Sequence, residues 1–233
     1  MSRIVLMPVY NEAATIEAVL SAVRERFDGP LLVVDDGSTD ATPDVLNHRD
    51  RVVVLRHGTN LGYGRSLADG FRAAAAKGVS ELITMDVDGQ HEPRHIPEFF
   101  AALDEDDADI ISGSRYLPGS ASTGKPPLQR RDVNRRVTEE INRVTGWGIT
   151  DAFCGFKAYR AAALADMPLD EPGYAMPMEL WARAYKRGLR VREIAIERIY
   201  FDHDRSFGGD LDDPAKRYDY YMRVWNRTLA EED

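Results

Sequence analysis

Five short apolar runs, each separated from the next by a stretch with helical spacing, constrain this chain more than any other feature. They are Ile4 to Met7, Leu31 to Val34, Val52 to Leu55, Leu82 to Met85 and Ile110 to Ile111. Each suits a strand buried on both faces and is too short for a buried helix. The alternation predicts βαβ units around a mainly parallel sheet, an α/β fold of the Rossmann-like three-layer kind. The first helix is expected from near Asn11, with Ile16, Val19, Leu20, Val23 and Phe27 on its packed face. Thr39 to Pro43 reads as a capped helix start, and Gly64 to Lys77 as an alanine-rich helix ended by Gly78. In the second half, the Gly- and Pro-rich stretch from Arg115 to Pro127 reads as a mobile surface loop. A basic helix at Leu128 to Val144, a strand at Phe156 to Tyr159, a helix at Pro177 to Arg187 and an alternating strand at Val191 to Ile199 follow.

No linker divides the 233 residues, so one domain is expected over 1–211, followed by an amphipathic helix and tail over 212–233. No apolar stretch approaches the ~18 residues that cross a bilayer. The amino terminus lacks the pattern of a signal peptide, and the expected place is the cytoplasm. A single cysteine, Cys154, excludes an internal disulfide framework and reads as a small packed residue. The formal net charge of −9 argues against a non-specific nucleic-acid binder, which needs a basic footprint.

Chemistry-bearing residues fall where these strands end. Asp86 and Asp88 close the fourth run in Met85-Asp86-Val87-Asp88-Gly89-Gln90-His91. Ligands bind a parallel sheet at that edge. Two hard carboxylate ligands there suit Mg²⁺ or Mn²⁺, which completes its shell with waters and phosphate oxygens. Taken alone, the triplet more readily describes a solvated turn after a strand. Pro8-Val9-Tyr10-Asn11-Glu12 and Val34-Asp35-Asp36-Gly37-Ser38-Thr39-Asp40 close the first two runs on the same edge. An aromatic ring and carboxylates so placed can bracket a nucleobase and ribose, with Glu12 and Asp36 accepting their hydrogen bonds. Adjacent carboxylates such as Asp35 and Asp36 repel each other unless a ligand or donors offset them.

These segments, with Asn60-Leu61-Gly62, Gly113-Ser114-Arg115-Tyr116 and Asp151-Ala152-Phe153-Cys154-Gly155-Phe156, resemble the family 2 glycosyltransferases of GT-A fold. The likeness is strongest to the polyprenyl- or dolichyl-phosphate sugar synthases and covers most of residues 3 to 205. It implies that Pro8, Tyr10, Glu12 and Asp36 hold a nucleoside, that Asp86, Asp88 and Gln90 surround Mg²⁺ or Mn²⁺, and that Arg115 faces phosphate. It further implies a nucleotide-sugar donor, UDP- or GDP-linked, and a lipid-phosphate acceptor held by Arg131, Arg135 and Arg205. An ionised phosphate acceptor needs no strong base, whereas a hydroxyl acceptor does. Asp151 and Glu179 are the matching candidates for that base. Asp151 can equally orient an arginine, and Glu179 can face solvent at a helix start.

The likeness is incomplete. Tyr63 and Arg65 stand where many relatives have small or lysine residues. Phe201 to Gly209 matches the Arg-x-x-Gly-x-Ser-Lys ending only loosely, without its lysine. His91 and His203 read more readily as structural or surface histidines than as metal ligands. In Pro214 to Leu229, the residues Tyr218, Tyr221, Met222, Trp225 and Leu229 make one stripe, with Lys216, Arg217, Arg223 and Arg227 elsewhere. That stripe can pack on the domain, pair with a second copy in a homodimer, or lie on a membrane surface as a peripheral contact at its inner face. The rival readings are a transferase with a hydroxyl acceptor and a non-catalytic nucleotide-sugar-binding subunit. A nucleotidyltransferase lacks its glycine-rich, lysine-containing phosphate loop here.

Overall fold

The computed structural model describes residues 2–47, 49–124, 128–199 and 208–232. The strands are β1 (Arg3–Val9), β2 (Leu31–Asp35), β3 (Val52–Arg56), β4 (Glu81–Thr84), β5 (Ile110–Ser114), β6 (Ser122–Thr123), β7 (Lys157–Arg160), β8 (Val191–Ala195) and β9 (Arg198–Ile199). Seven of them form one sheet in the order β3-β2-β1-β4-β7-β5-β8. All its pairs are parallel except those of β7, which runs antiparallel to both β4 and β5. The stretch expected as one strand at Val191 to Ile199 is split, because β9 leaves the main sheet to pair with β6.

The helices are α1 (Ile16–Arg24), α2 (Thr42–Leu46), α3 (Tyr63–Ala76), α4 (Ile96–Asp104), α5 (Leu128–Thr145), α6 (Ala161–Leu164), α7 (Met176–Lys186) and α8 (Pro214–Ala230). Successive strand residues point to opposite faces, which makes three layers. Ile4, Leu6, Leu32, Val34 and Leu82 pack toward α3, α5, α7 and α8, while Val5, Met7, Leu31, Val33 and Ile83 pack toward α1 and α4. The first helix starts at Ile16 and not at Asn11. Asn11 takes a left-handed φ of 54°, and its Oδ1 accepts the Thr39 N–H at 2.8 Å, so it staples the β1 and β2 loops together. Helix α4, not expected above, buries Ile96, Phe99, Phe100 and Leu103.

Helix α8 is capped by Asp213, whose side chain accepts the N–H groups of Ala215 and Lys216. Its buried face is Arg217, Tyr221, Val224, Trp225 and Thr228, packed with α5 and α7. Trp225 is fully buried, and covering a large apolar side chain contributes on the order of 1.5–3 kcal/mol. Of the expected stripe, Tyr221 and Trp225 are taken up by the chain's own core, while Tyr218, Met222 and Leu229 are half-buried against it. Arg136 on α5 stacks over the Tyr218 ring at 3.9 Å, tying the two helices at the surface. Among the described residues, no helix is long and apolar enough to cross a membrane.

Candidate active site

The chain winds from β1 to β2 and β3 on one side, then crosses to β4 on the other, which opens a crevice at the carboxyl ends of β1 and β4. Tyr10, just past β1, exposes 45% of its surface there. Glu12 follows, its Oε2 accepting from the Thr15 hydroxyl at 2.8 Å. Pro8 is buried within β1 at the level of Val34, where it shapes the turn behind Tyr10. Asp36, the other carboxylate expected beside the nucleoside, follows the end of β2. It is buried and accepts N–H bonds from Leu61 and Gly62, both at 2.8 Å, with His57 Nδ1 at 2.7 Å. It builds the loop entering α3 and does not face solvent. These donors, with the Ser38 N–H on Asp35, offset the repulsion between the adjacent carboxylates.

A cavity of about 300 Å³ continues from the end of β4. Asp86, Asp88 and Gln90 line it. The Asp86 N–H donates to His91 Nδ1 at 3.0 Å, and the Tyr63 hydroxyl donates to Asp86 Oδ1 at 3.2 Å. His91 is buried and stacks on Phe156 at 5.2 Å, so it positions the turn. Asp88 Oδ1 accepts the Gln90 N–H at 2.9 Å, which closes that turn. Burial raises the Asp86 pKa, His91 partly offsets this, and the charge of Asp88 adds to it. Two carboxylates and an amide are hard oxygen donors, and a partly desolvated carboxylate pair is stabilised by a cation. The residues fit Mg²⁺ or Mn²⁺ with phosphate oxygens in the remaining positions.

The same cavity is rich in basic groups. Arg115, Arg130, Arg198 and Arg217 all line it, as does Lys157. Arg115 is fixed by Asp151, which is fully buried. Its Oδ2 accepts Arg115 Nε at 2.6 Å, and its Oδ1 accepts NH2 at 2.9 Å and Asn134 Nδ2 at 2.8 Å. Burial alone would raise the Asp151 pKa, but the charge and hydrogen bonds of Arg115 hold it down at about 2. Behind it, Glu193 on β8 accepts the Asp151 N–H at 3.0 Å and the Thr150 N–H at 2.8 Å. Lys157 Nζ donates to the Cys154 carbonyl and lies 5.2 Å from the Trp181 ring centroid. Burial lowers its pKa.

Several expected site residues lie elsewhere. Arg131 and Arg135 are exposed on the outer face of α5, and Arg135 is paired with Asp132 and Glu139, both at 2.8 Å. Arg130, one position earlier, is the residue that reaches the cavity. Glu179 is buried, accepts the Asp170 and Glu171 N–H groups at 2.9 and 2.8 Å, and is absent from the cavity wall. Its place is that of a loop anchor and not of a base. Asp151, enclosed by donors, is likewise placed as an orienter of Arg115 and not as a proton acceptor. Arg205 and His203 lie outside the described residues. The cavity also uses Arg198 and Arg217, which carry no motif that marks them in the sequence.

A family model described as Glycosyl transferase family 2 matches residues 4–167. The chain belongs to this family. As a family 2 glycosyltransferase it is an enzyme of sugar transfer. It is 34% identical over 203 residues to a polyprenol monophosphomannose synthase of Mycolicibacterium smegmatis, covering 83% of this chain and 76% of that protein. It is 31% identical over 204 residues to an undecaprenyl-phosphate mannosyltransferase of Micrococcus luteus, covering 84% of this chain and 83% of the other. The fold matches crystal structures of glucosyl-3-phosphoglycerate synthase from Mycobacterium tuberculosis. The one in complex with Mn²⁺, UDP and phosphoglyceric acid gives a TM-score of 0.75 at 21% identity, over 100% of this chain and 80% of that one. The glycosyltransferase fold is therefore GT-A.

One glycine gives this glycosyltransferase a direct test of its carboxylate pair. A Cβ on Gly155 would stand 2.4 Å from Asp86 Oδ2 and 3.0 Å from the Tyr63 hydroxyl. Gly155→Ala must therefore displace Asp86. Sugar transfer is expected to fall by about 10²-fold, the scale of a misplaced reacting group. A steady-state assay with normal turnover in the variant would show that the Asp86 position does not matter.

Proposed function

We propose that the enzyme moves a hexose, mannose in the first instance, from a nucleoside-diphosphate sugar to a polyprenyl phosphate. The observation that carries this reading is the charge make-up of the cavity lining. Its only carboxylates among the described residues are Asp86 and Asp88, and four arginines line it with them. A hydroxyl acceptor needs a proton acceptor, and beyond the carboxylate pair assigned to the metal no lining residue among those described supplies a carboxylate. A phosphate acceptor arrives with its nucleophilic oxygen already ionised, and guanidinium groups are its natural partners. The two mannosyl relatives support the same choice.

Tyr10 and Glu12 are assigned to the nucleoside, with Asp36 shaping the loop beside it. Asp86, Asp88 and Gln90 are assigned to Mg²⁺ or Mn²⁺, which when bound neutralises charge on the leaving diphosphate. Arg115, held rigid by Asp151, gives a fixed positive group for charge that grows as the C1–O bond breaks. The acceptor oxygen forms the new bond to C1 from the opposite face, so C1 is inverted. The bonding pair leaves with the nucleoside diphosphate. A lipid acceptor is met at a bilayer surface. The test incubates the enzyme with GDP-mannose, UDP-glucose or UDP-galactose, with Mg²⁺ or Mn²⁺, and offers farnesyl phosphate or farnesol. A glycosylated phosphate and no product from the alcohol is expected, and transfer to the alcohol alone would refute the proposal.

A further inference from the structure

The carboxylate of Asp86 is held by a single side-chain donor. The Tyr63 hydroxyl meets its Oδ1 at 3.2 Å, and among the described residues no other side chain donates to it. His91 cannot do so, because its Nδ1 accepts the Asp86 N–H and lies 3.9 Å from Oδ2. Gly155 closes the space around the pair, since a Cβ there would stand 2.4 Å from Asp86 Oδ2 and 3.0 Å from the Tyr63 hydroxyl. Carboxylate and phenol therefore share the room that the missing side chain leaves. The Gly155 backbone is itself fixed, its carbonyl accepting the Thr84 hydroxyl at 2.7 Å.

Tyr63 is clamped in turn. It is the first residue of α3, and the N–H groups of Gly64 and Arg65 donate to the Pro172 carbonyl at 2.8 and 3.2 Å. That satisfies two of the donors a helix start leaves open. A Cβ on Gly64 would meet the Glu171 carbonyl oxygen at 2.2 Å, so no slack separates the helix from the 170–174 loop. Glu179 anchors this loop through the Asp170 and Glu171 N–H groups. The Tyr174 ring on the same loop stacks on the Tyr63 ring at 6.2 Å, with 22° between their planes. Backbone and ring together set where the hydroxyl points.

From this we infer that Tyr63 is a positioning residue for the metal ligand, its hydroxyl holding the Asp86 carboxylate ready for Mg²⁺ or Mn²⁺. The inference rests on the proposed assignment of Asp86, Asp88 and Gln90 to the metal. A carboxylate that must first be ordered binds a cation less tightly, and removing a hydrogen-bond partner of a metal ligand typically costs about 10- to 100-fold in metal affinity or activity. A buried tyrosine also seeks a partner for its hydroxyl for packing reasons alone. The two roles differ in whether the metal feels the loss.

The test uses the full chain in wild-type form and as Y63F. Mn²⁺ binding is read from the EPR signal of the free ion, with the enzyme alone and with UDP or GDP, and turnover is then followed against Mn²⁺ concentration. Y63F should bind Mn²⁺ about 10- to 100-fold more weakly. Saturating Mn²⁺ should restore most of its turnover, so that the activation constant moves and kcat does not. Wild-type Mn²⁺ affinity in Y63F with a lower Tm would overturn the inference and leave the hydroxyl as a packing contact. Wild-type affinity with turnover lost at every Mn²⁺ concentration would overturn it in favour of a direct contact with substrate. Should Y63F not fold, Y63M, which also lacks the hydroxyl, is read in the same way. If the wild type binds no Mn²⁺ under any of these conditions, the metal assignment fails and the inference with it. If the wild type and Y63F bind it equally, the inference alone fails.

Discussion

Asp88→Asn is expected to lower sugar transfer on the order of 10³-fold, the scale on which preorganised charge stabilisation is lost. Stability should change little, because the amide oxygen of asparagine can still accept the Gln90 N–H that closes the turn. Only the charge is removed. Asp86 is the poorer probe, since it is bonded to Tyr63 and packed against Gly155, and its replacement disturbs more than charge. The proposed metal role makes a second demand. Mn²⁺ should raise the Tm of the wild type in the presence of its nucleotide, EDTA should abolish that rise, and Asp88→Asn should show none of it. Full turnover by the variant would remove the carboxylate pair from the mechanism altogether.

The scaffold was legible because its signal is local. Four-residue apolar runs alternating with helical spacing define βαβ units without knowledge of any partner, and the strand ends then place Tyr10, Asp36 and Asp86 on one edge. What escaped depends on phase or on distance. Along α5 the arginines at 130, 131, 135 and 136 cover most of the helix circumference, and successive residues differ by about 100° in direction. Composition cannot say that Arg130 faces inward while Arg135 meets Asp132 and Glu139. In α8 the large apolar residues suggested a stripe of Tyr218, Tyr221, Met222, Trp225 and Leu229, of which Tyr221 and Trp225 are buried. Packing turned the helix so that Arg217 and Thr228 are buried. Asp36 looked available because its donors come from Leu61, Gly62 and His57, all more than 20 residues away. Helix α4 is a different case. Ile96, Phe99, Phe100 and Leu103 carry helical spacing, and the signal was present but overshadowed by the motif before it.

Asp151 separates a strut from a base most sharply, and its replacement should have the largest effect on stability. Asp151→Ala leaves Arg115 and Asn134 without the carboxylate that both donate to, and breaking a buried pair costs about 3–5 kcal/mol. Asp151→Asn keeps the shape and one acceptor, so it should cost less and retain part of the activity. A base would behave differently, because the amide cannot take a proton, and alanine and asparagine would be equally inactive. The pH dependence follows from the depressed pKa of about 2 against the ordinary aspartate value of 3.8. The native state holds fewer protons than the unfolded chain between these values, so the pair's stabilisation is complete above about pH 4. It is lost as the pH falls toward 2. The shift corresponds to about 2 kcal/mol, to be read from urea unfolding of wild type and Asp151→Asn over that range. Above pH 5, Asp151 stays ionised, so it contributes no limb to the turnover profile if it is a strut. An acidic limb in the wild-type kcat/KM, together with equal inactivity of Asp151→Asn and Asp151→Ala, would restore it as a base and bring back the hydroxyl acceptor.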